Sequence, residues 1–120
     1  MQRDMDLIRE LLIKMADHEH GFAPKIEFPA RSDEEIGFHI WLMSDAKLIK
    51  AVEITSVNSP SPQAAPSHLT WQGYEFLEAA KSPKAWERAK QLLLSKAGGL
   101  SFEVLKAYLI YEAKHSLGIG

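Results

Sequence analysis

The sequence predicts an α+β domain that is mainly α-helical, and two patterns support this class. Apolar residues recur every three or four positions in several stretches, which is the period of a helix with one buried face. Near the middle of the chain the pattern changes to β-branched residues and prolines, which is typical of a hairpin. Since 120 residues suffice for one hydrophobic core, we expect a single domain over residues 1–120. Within this domain, residues 1–80 are predicted to form the core region of the fold. Residues 81–120 are predicted to be a C-terminal helical extension.

The composition excludes several classes of protein. Hydrophobic residues make up 46% of the chain and charged residues 25%, which are ordinary values for a globular protein. The absence of cysteine excludes disulfide frameworks, thiolate zinc sites and cysteine nucleophiles, and it fits a reducing cytoplasm. Because there is no long apolar run and no signal peptide, we expect a soluble cytoplasmic protein that does not associate with membranes.

The net charge of −2 is not that of a protein that binds nucleic acid through electrostatics alone. The charges are unevenly distributed along the chain. Residues 1–60 hold 7 Lys/Arg and 11 Asp/Glu, whereas residues 61–120 hold 7 and 5. We therefore expect an anionic partner to contact the second half of the chain.

The first helix is predicted over residues 3–18, with Asp4 positioned to cap its N-terminus. Its apolar stripe comprises Met5, Leu7, Ile8, Leu11, Leu12 and Met15. A glycine and two prolines between residues 21 and 29 then exclude a long helix. The alternation in Lys25–Phe28 predicts a short edge strand.

A second helix is predicted after Ser32, a typical N-cap residue, and Glu35 stands where it would close a capping box. Its inward face is predicted to comprise Ile36, His39, Ile40 and Met43. The core is expected to continue into Leu48 and Ile49 as the chain becomes extended.

A hairpin is predicted over Lys50–Trp71. The alternation and β-branching of Ala51–Val57 predict its first strand, and His68–Trp71 is predicted to be a short return strand. Asn58–Ser67, between them, contains three prolines and three serines and is predicted to be a loop at the tip of the hairpin.

Three helices are predicted to follow the hairpin. Thr70 is the expected cap of the first, whose packing face is predicted to comprise Trp71, Tyr74, Leu77 and Glu78. Ser82 and Pro83 begin the second, which is predicted to run to about Lys96 before the helix-ending pair at residues 98 and 99. Ser101 caps the last. The packing residues expected in these two helices are Trp86, Ala89, Leu92, Leu93, Phe102, Leu105, Tyr108 and Leu109.

The order of helix, strand, helix and hairpin is that of a winged helix-turn-helix domain, here extended by C-terminal helices. Glu34–Ile49 resembles the recognition-helix segment of small bacterial winged-helix repressors, with Lys47 where glycine is usual. The residues that carry this resemblance are His39, Ile40, Met43, Ala46, Leu48 and Ile49. The exit from the wing is similar as well, through Leu69, Thr70, Gly73 and Leu77. The resemblance implies a winged-helix-like fold in which the hairpin is the wing.

Four further motifs span nearly the whole chain: Arg3–Ile8, the Glu-Glu-Ile-x-x-His sequence at Glu34–His39, Leu69–Leu77, and the turn Gly98–Phe102. They resemble motifs of a family of short bacterial and prophage proteins that is classified as a domain of unknown function. This resemblance implies a winged-helix-like fold and a bacterial or phage setting. It implies no activity.

The second helix is poorly suited to reading DNA directly. A recognition helix presents basic, amide or hydroxyl side chains to base edges. The outward residues here are Gly37, Phe38, Trp41 and Ser44, and the three carboxylates of Asp33–Glu35 would repel phosphates. Phe38 and Trp41 are either covered by the C-terminal helices or exposed as a patch for a protein partner or a second copy of the chain.

A group of basic residues leaves a nucleic-acid alternative open. Lys81, Lys84 and Arg88 are spaced to share one side of the helix around Pro83, and Lys50 precedes the wing. A solvated charged face is the usual meaning of such a stripe. The alternative is that these four side chains contact phosphates.

The sequence contains no catalytic or phosphate-binding motif of known type. His18 and His20 would diverge at a helix end, and His39 is expected to be a buried histidine, so no metal site is predicted. We expect no enzyme activity, no cofactor and no small-molecule ligand. The sequence thus predicts a binding module, a bacterial or prophage regulatory or accessory protein that acts on a protein partner or as a homodimer. The alternative is a DNA-binding transcriptional regulator.

Overall fold

The computed structural model describes residues 1–18, 21, 22, 26, 28–94 and 101–116. Over these residues the chain forms five α-helices and one two-stranded antiparallel hairpin. In order, the elements are α1 (Met5–Ala16), α2 (Asp33–Asp45), β1 (Ile49–Glu53), β2 (Ala64–Leu69), α3 (Trp71–Ala80), α4 (Pro83–Leu94) and α5 (Phe102–Ser116). The predicted α+β, mainly α-helical class is confirmed. The order of the elements is consistent with a winged-helix-like fold that has extra C-terminal helices.

The chain divides into two compact units, Met1–Tyr74 and Glu75–Gly120. The first unit contains α1, α2, the hairpin and the start of α3, and the second contains the rest of α3 with α4 and α5. The division lies inside α3, whereas the sequence placed its internal boundary at the end of that helix, after residue 80. The single-domain organisation stays a prediction.

Helix α1 forms because it has a capped start and one continuous apolar face. Asp4 Oδ1 accepts hydrogen bonds from the N–H groups of Asp6 and Leu7 at 3.0 and 3.2 Å. All six residues of the predicted stripe are buried, and this face packs against α2 and β2. The helix is shorter than the predicted residues 3–18, because Asp4 is its cap and Ala16 is its last residue.

Helix α2 begins after Ser32, whose Oγ accepts a hydrogen bond from Glu35 N–H at 3.1 Å. The Glu35 carboxylate does not return to Ser32 as a capping box requires; it accepts a hydrogen bond from Arg31 at 2.9 Å. The predicted inward face of Ile36, His39, Ile40 and Met43 is buried. At the other end, Lys47 N–H donates to the Ser44 carbonyl and Leu48 N–H to the Met43 carbonyl, each at 3.0 Å. This pair of bonds is a Schellman motif.

The hairpin is confirmed, but its predicted strand bounds are wrong. β1 is Ile49–Glu53 rather than Ala51–Val57, and β2 begins at Ala64, inside the predicted loop Asn58–Ser67. The strands pair from Ile49 opposite Leu69 to Glu53 opposite Ala64, with a register shift between Lys50 and Ala51. This irregularity admits the proline at position 66, which has no N–H to donate to the ladder.

The return strand also ends earlier than predicted, because Leu69 is its last residue and Trp71 is already helical. The predicted edge strand Lys25–Phe28 lies partly outside the described residues. Its two described members, Ile26 and Phe28, are not in a strand.

The predicted packing face of α3 is wrong except at Leu77, which is buried. Trp71 and Tyr74 are 79% and 41% exposed, and Glu78 is exposed as well. Apart from Ala79, the buried residues of α3 are spaced i, i+3, i+4 and i+7, namely Gly73, Phe76, Leu77 and Ala80. Gly73 determines which face of α3 is buried, because its Cα lies against the backbone carbonyl of Leu48, where no Cβ fits.

In the second unit, aromatic and aliphatic side chains of the three helices form the core. The Phe76 ring centroid lies 6.2 Å from that of Trp86 and 5.2 Å from that of Phe102. The predicted core residues Trp86, Ala89, Leu105 and Leu109 are buried, and Tyr108 is half-buried, but Leu92 is 41% exposed. The Leu93 side chain, Lys96 and the glycines at 98 and 99 lie outside the described residues.

Candidate binding surface

Phe38 and Trp41, the predicted interaction residues, are both half-buried on α2. The Phe38 ring meets the ring of His39 edge-on, with centroids 5.7 Å apart. They are therefore neither fully buried core residues nor the most exposed apolar side chains of their unit. The choice between core and interface that the sequence left open stays open for them.

The predicted basic stripe, Lys81, Lys84 and Arg88, is partly neutralised by carboxylates of the second unit. Lys81 Nζ lies 3.9 Å from Glu78 Oε1, and Arg88 Nη2 lies 3.3 Å from Glu112 Oε2. Lys84 is exposed beside them. The stripe thus presents less unbalanced positive charge than its sequence indicates.

The largest apolar exposure on the hairpin lies on and just beyond β1. Val52 is 65% exposed, Ile54 is 55% exposed and Val57, near the tip, is fully exposed. Val52 and Ile54 share one face because side chains two apart on an extended chain point the same way. The alternation of this strand is visible in the sequence, but its exposed and buried faces cannot be assigned without the register of the hairpin.

The tip of the hairpin is held against the start of α2. Gln63 Nε2 donates a hydrogen bond to the Glu34 carbonyl at 2.9 Å, and Ser61 Oγ lies 3.4 Å from the Glu34 carboxylate. The Gln63 amide packs against Gly37, where a Cβ would displace it. Gly37 is therefore a docking position for the hairpin and is not available to a partner.

The base of the hairpin is fixed by Thr70. Its Oγ1 donates to the Lys47 carbonyl at 2.6 Å, with the Leu48 carbonyl at 3.0 Å, and accepts from Gly73 N–H at 3.0 Å. Its backbone N–H also donates to the Leu48 carbonyl, at 3.0 Å. Thr70 is thus the predicted cap of α3, and it also ties the start of α3 to the end of α2.

An open cavity of about 680 Å³ lies beside this junction. Among its lining residues are Ser44, Lys47, Lys50, His68, Trp71 and Gln72. Lys50 is one of the predicted nucleic-acid contacts, and it is exposed. The sequence alone does not identify the others, because its pattern places Trp71 on a packing face and shows Lys47 only as a departure from glycine.

A buried polar network connects the starts of α1 and α2. His39 is fully buried, and its Nε2 accepts a hydrogen bond from Asp4 N–H at 2.9 Å. Its Nδ1 lies 2.8 Å from the Glu35 carbonyl oxygen, which can only accept. Nδ1 therefore carries the proton, and both ring nitrogens of a neutral imidazole are satisfied. This arrangement gives His39 a structural role.

Arg31 extends the network to solvent by pairing with two carboxylates. Its Nη2 lies 2.9 Å from Asp4 Oδ2 and its Nη1 lies 2.9 Å from Glu35 Oε2. Burial raises the pKa of the Asp4 carboxyl, but the N–H groups of Leu7 and Asp6 and the Arg31 guanidinium outweigh it and hold that pKa below its usual value. The Asp4 carboxyl therefore loses its proton at a lower pH than an ordinary aspartate does.

Comparison with known proteins assigns the chain to a family. Residues 2–99 match the family described as Hypothetical protein (DUF2513). The chain belongs to the DUF2513 family. It is also 32% identical over 108 residues to a protein of Haemophilus influenzae that is described as "Uncharacterized protein"; the alignment covers 88% of this chain and 90% of that one. No solved structure matches this DUF2513 chain. The family resemblance inferred from the sequence motifs is thus confirmed at the level of a bacterial domain of unknown function.

Two further properties concern the described part of this DUF2513 chain. None of its helices is both long and apolar enough to cross a membrane. Within the same residues, no group of three or more His, Cys, Asp or Glu side chains is placed to hold a metal ion.

Proposed function

We propose that the chain is a non-enzymatic cytoplasmic binding module, a regulatory or accessory protein that acts through protein contact made by its hairpin. The observation that carries this proposal is the exposure of Val52, Ile54 and Val57, which lie within six residues of one another on the hairpin. Single exposed apolar residues are ordinary, but neighbouring ones on an ordered element are typical of interaction surfaces.

The unpaired edges of the hairpin support the same role. The described sheet has two strands only, so among the described residues β1 and β2 pair with nothing except each other. A free edge pairs readily with another strand, and an apolar face beside it adds burial to those hydrogen bonds. A strand edge can pair antiparallel with the same edge of a second copy across a twofold axis, which favours a homodimer.

The test is the molar mass of the purified chain by light scattering at increasing concentration. We expect a dimer, and we expect the double variant Val52→Thr with Ile54→Thr to be monomeric with unchanged circular dichroism. Threonine keeps the β-branched shape and strand preference while removing apolar surface. The control is Val104→Thr on α5, where a 50% exposed valine changes in the same way. A monomer at every concentration, or a dimer that the double variant leaves intact, contradicts the proposal.

The variant Trp41→Ala tests whether this residue of α2, a neighbour of Phe38 in the sequence, belongs to the same interface or to the core. If Trp41 contributes to the interface, Trp41→Ala dissociates the dimer and leaves the fold intact. If Trp41 belongs to the core, the same change lowers the thermal midpoint of unfolding. The folded protein then still has the molar mass of a dimer.

Duplex DNA binding through the wing and the basic stripe is the second candidate. It is favoured by Lys50 and Lys84, which are exposed, and disfavoured by the carboxylates beside Lys81 and Arg88. It predicts a mobility shift on random duplex that weakens steeply with salt and diminishes in Lys50→Gln. No shift at low salt removes this candidate.

A further inference from the structure

The cavity at the base of the hairpin does not include Val52, Ile54 or Val57, the exposed apolar residues of the proposed protein contact. The end of α2, the first residues of β1, the end of β2 and the start of α3 all contribute to its walls. None of the described residues that line it is acidic. The cavity therefore combines positive charge, an aromatic ring and hydrogen-bonding groups in a chain that is net negative.

Two lysines supply the positive charge. Lys47 and Lys50 are both exposed, and neither forms an ion pair within the described part of the chain. This distinguishes them from Lys81 and Arg88, whose charges meet carboxylates. An ammonium group without a carboxylate partner remains available to a phosphate.

Trp71 supplies a flat apolar surface beside these charges. Its side chain is 79% exposed, although burying an indole would stabilise the fold. The Thr70 hydroxyl bonds to the Lys47 carbonyl at 2.6 Å, so the backbone that carries Trp71 is tied directly to the backbone that carries Lys47. The backbone segments that carry the ring and the ammonium are thus held next to each other by this hydrogen bond.

The backbone of Lys47 adds a reason to assign a role to its side chain. Its φ is 67°, in the left-handed region, at the position after the helix where glycine is most favourable. Lysine there costs roughly 1 kcal/mol relative to glycine. The fold would be more stable without this side chain, so its presence is not explained by stability.

We propose that this cavity binds an unpaired nucleotide, with the base stacked on Trp71 and the phosphate between Lys47 and Lys50. Stacking on an aromatic ring needs a base whose face is free, which duplex DNA does not offer. The nucleotide can belong to single-stranded nucleic acid or be free in solution. Val52 and Ile54 do not line this cavity, so variants at those two positions test the proposed dimer without changing the residues of the site.

The test is the fluorescence anisotropy of a labelled oligothymidylate of about ten nucleotides, titrated with the full chain at low salt. Trp71→Ala is expected to weaken binding on the order of tenfold or more, because it removes the stacking surface. Lys47→Gly and Lys50→Gln are each expected to weaken binding and to reduce the slope of log K against log salt by about 0.7. Lys84→Gln, an exposed lysine of the second unit, is the matched control and should bind like the natural chain.

Lys47→Gly also separates binding from folding. Glycine suits the left-handed backbone, so this variant is expected to unfold at a higher temperature while binding more weakly. Val52→Thr with Ile54→Thr should bind the oligonucleotide normally, so failure of the dimer and failure of this site are distinguishable.

Competition with unlabelled ligands identifies the source of the nucleotide. Displacement by oligothymidylate alone assigns the site to single strands, and equal displacement by thymidine monophosphate assigns it to a free nucleotide. The proposal is overturned if the chain does not bind the oligonucleotide. It is also overturned if Trp71→Ala and Lys47→Gly bind normally, or if duplex DNA or polyglutamate competes equally well.

Discussion

Both ring nitrogens of His39, a residue type that often acts in catalysis, form hydrogen bonds within the fold. Its two ring nitrogens bond to the Asp4 N–H and the Glu35 carbonyl, so the imidazole joins the start of α1 to the first turn of α2. The sequence predicted its burial from its place on an apolar face. It could not identify the bond to Asp4, because the partner lies 35 residues away.

Replacing this histidine tests its structural role. His39→Leu keeps much of the side-chain volume but leaves the Asp4 N–H without its acceptor. We expect the free energy of unfolding to fall by about 2 kcal/mol, the usual cost of stranding a buried polar group. Urea denaturation measures this. His68→Leu, at a half-buried position on β2, is the control and should change stability by less than about 0.5 kcal/mol. Equal losses in the two variants would argue against the network.

Asp4 gives the network a defined pH dependence. Its folded pKa lies below the ordinary 3.8, so its contribution to stability is present above pH 3.8 and is lost as the pH falls through the folded value. Asp4→Asn keeps a good cap but cannot pair with Arg31. We expect the natural chain to be more stable than this variant at pH 7 and the difference to shrink on acidification below pH 3.8. A difference that stays constant across this range would contradict the account; Asp45→Asn, at an exposed position, is the control.

At the scale of elements, local signals predicted helices better than the hairpin. A helix cap depends only on residues close in sequence. The predicted caps each accept a hydrogen bond from the backbone N–H three residues further on, and they are Asp4, Ser32, Thr70 and Ser82. The phase of α3 and the register of β2 depend instead on contacts distant in sequence. Gly73 must face the Leu48 carbonyl, and this contact turns Trp71 outward. Within α3 the spacing of Phe76, Leu77 and Ala80 fits this burial, but the aromatic residues Trp71 and Tyr74 also form an apolar face, and the sequence of the helix does not decide between them.

Replacing Gly73 by alanine is expected to cost more stability than replacing Gly37. Gly73→Ala places a methyl group against the backbone carbonyl of Leu48, which cannot move without disturbing the end of α2, so we expect a loss of about 3 kcal/mol. Gly37→Ala meets only the end of the Gln63 side chain, which can rotate away, and should cost about 1 kcal/mol through the lost bond to Glu34. Thermal or urea unfolding checks the order. The reverse order would contradict these assignments.

For the whole molecule, several residues that carry the family resemblance form contacts between the elements of the fold. Asp4, Glu35 and His39 join α1 to α2, while Thr70 and Gly73 clamp the hairpin to α3. These contacts position a hairpin in which Val52, Ile54 and Val57 are exposed and whose strands, among the described residues, pair only with each other. We therefore place the function of the chain on the hairpin, although the sequence first directed attention to α2.

The absence of cysteine permits a direct test of this claim. A single cysteine introduced by Val52→Cys is the one thiol in the chain, and Val104→Cys provides an equivalent thiol on α5. After treatment with a short thiol-specific bifunctional crosslinker, the mass of the products reports whether two hairpins face each other. The account predicts rapid crosslinking of Val52→Cys to a covalent dimer and little for Val104→Cys. Equal rates for the two variants, or none for Val52→Cys, would contradict it.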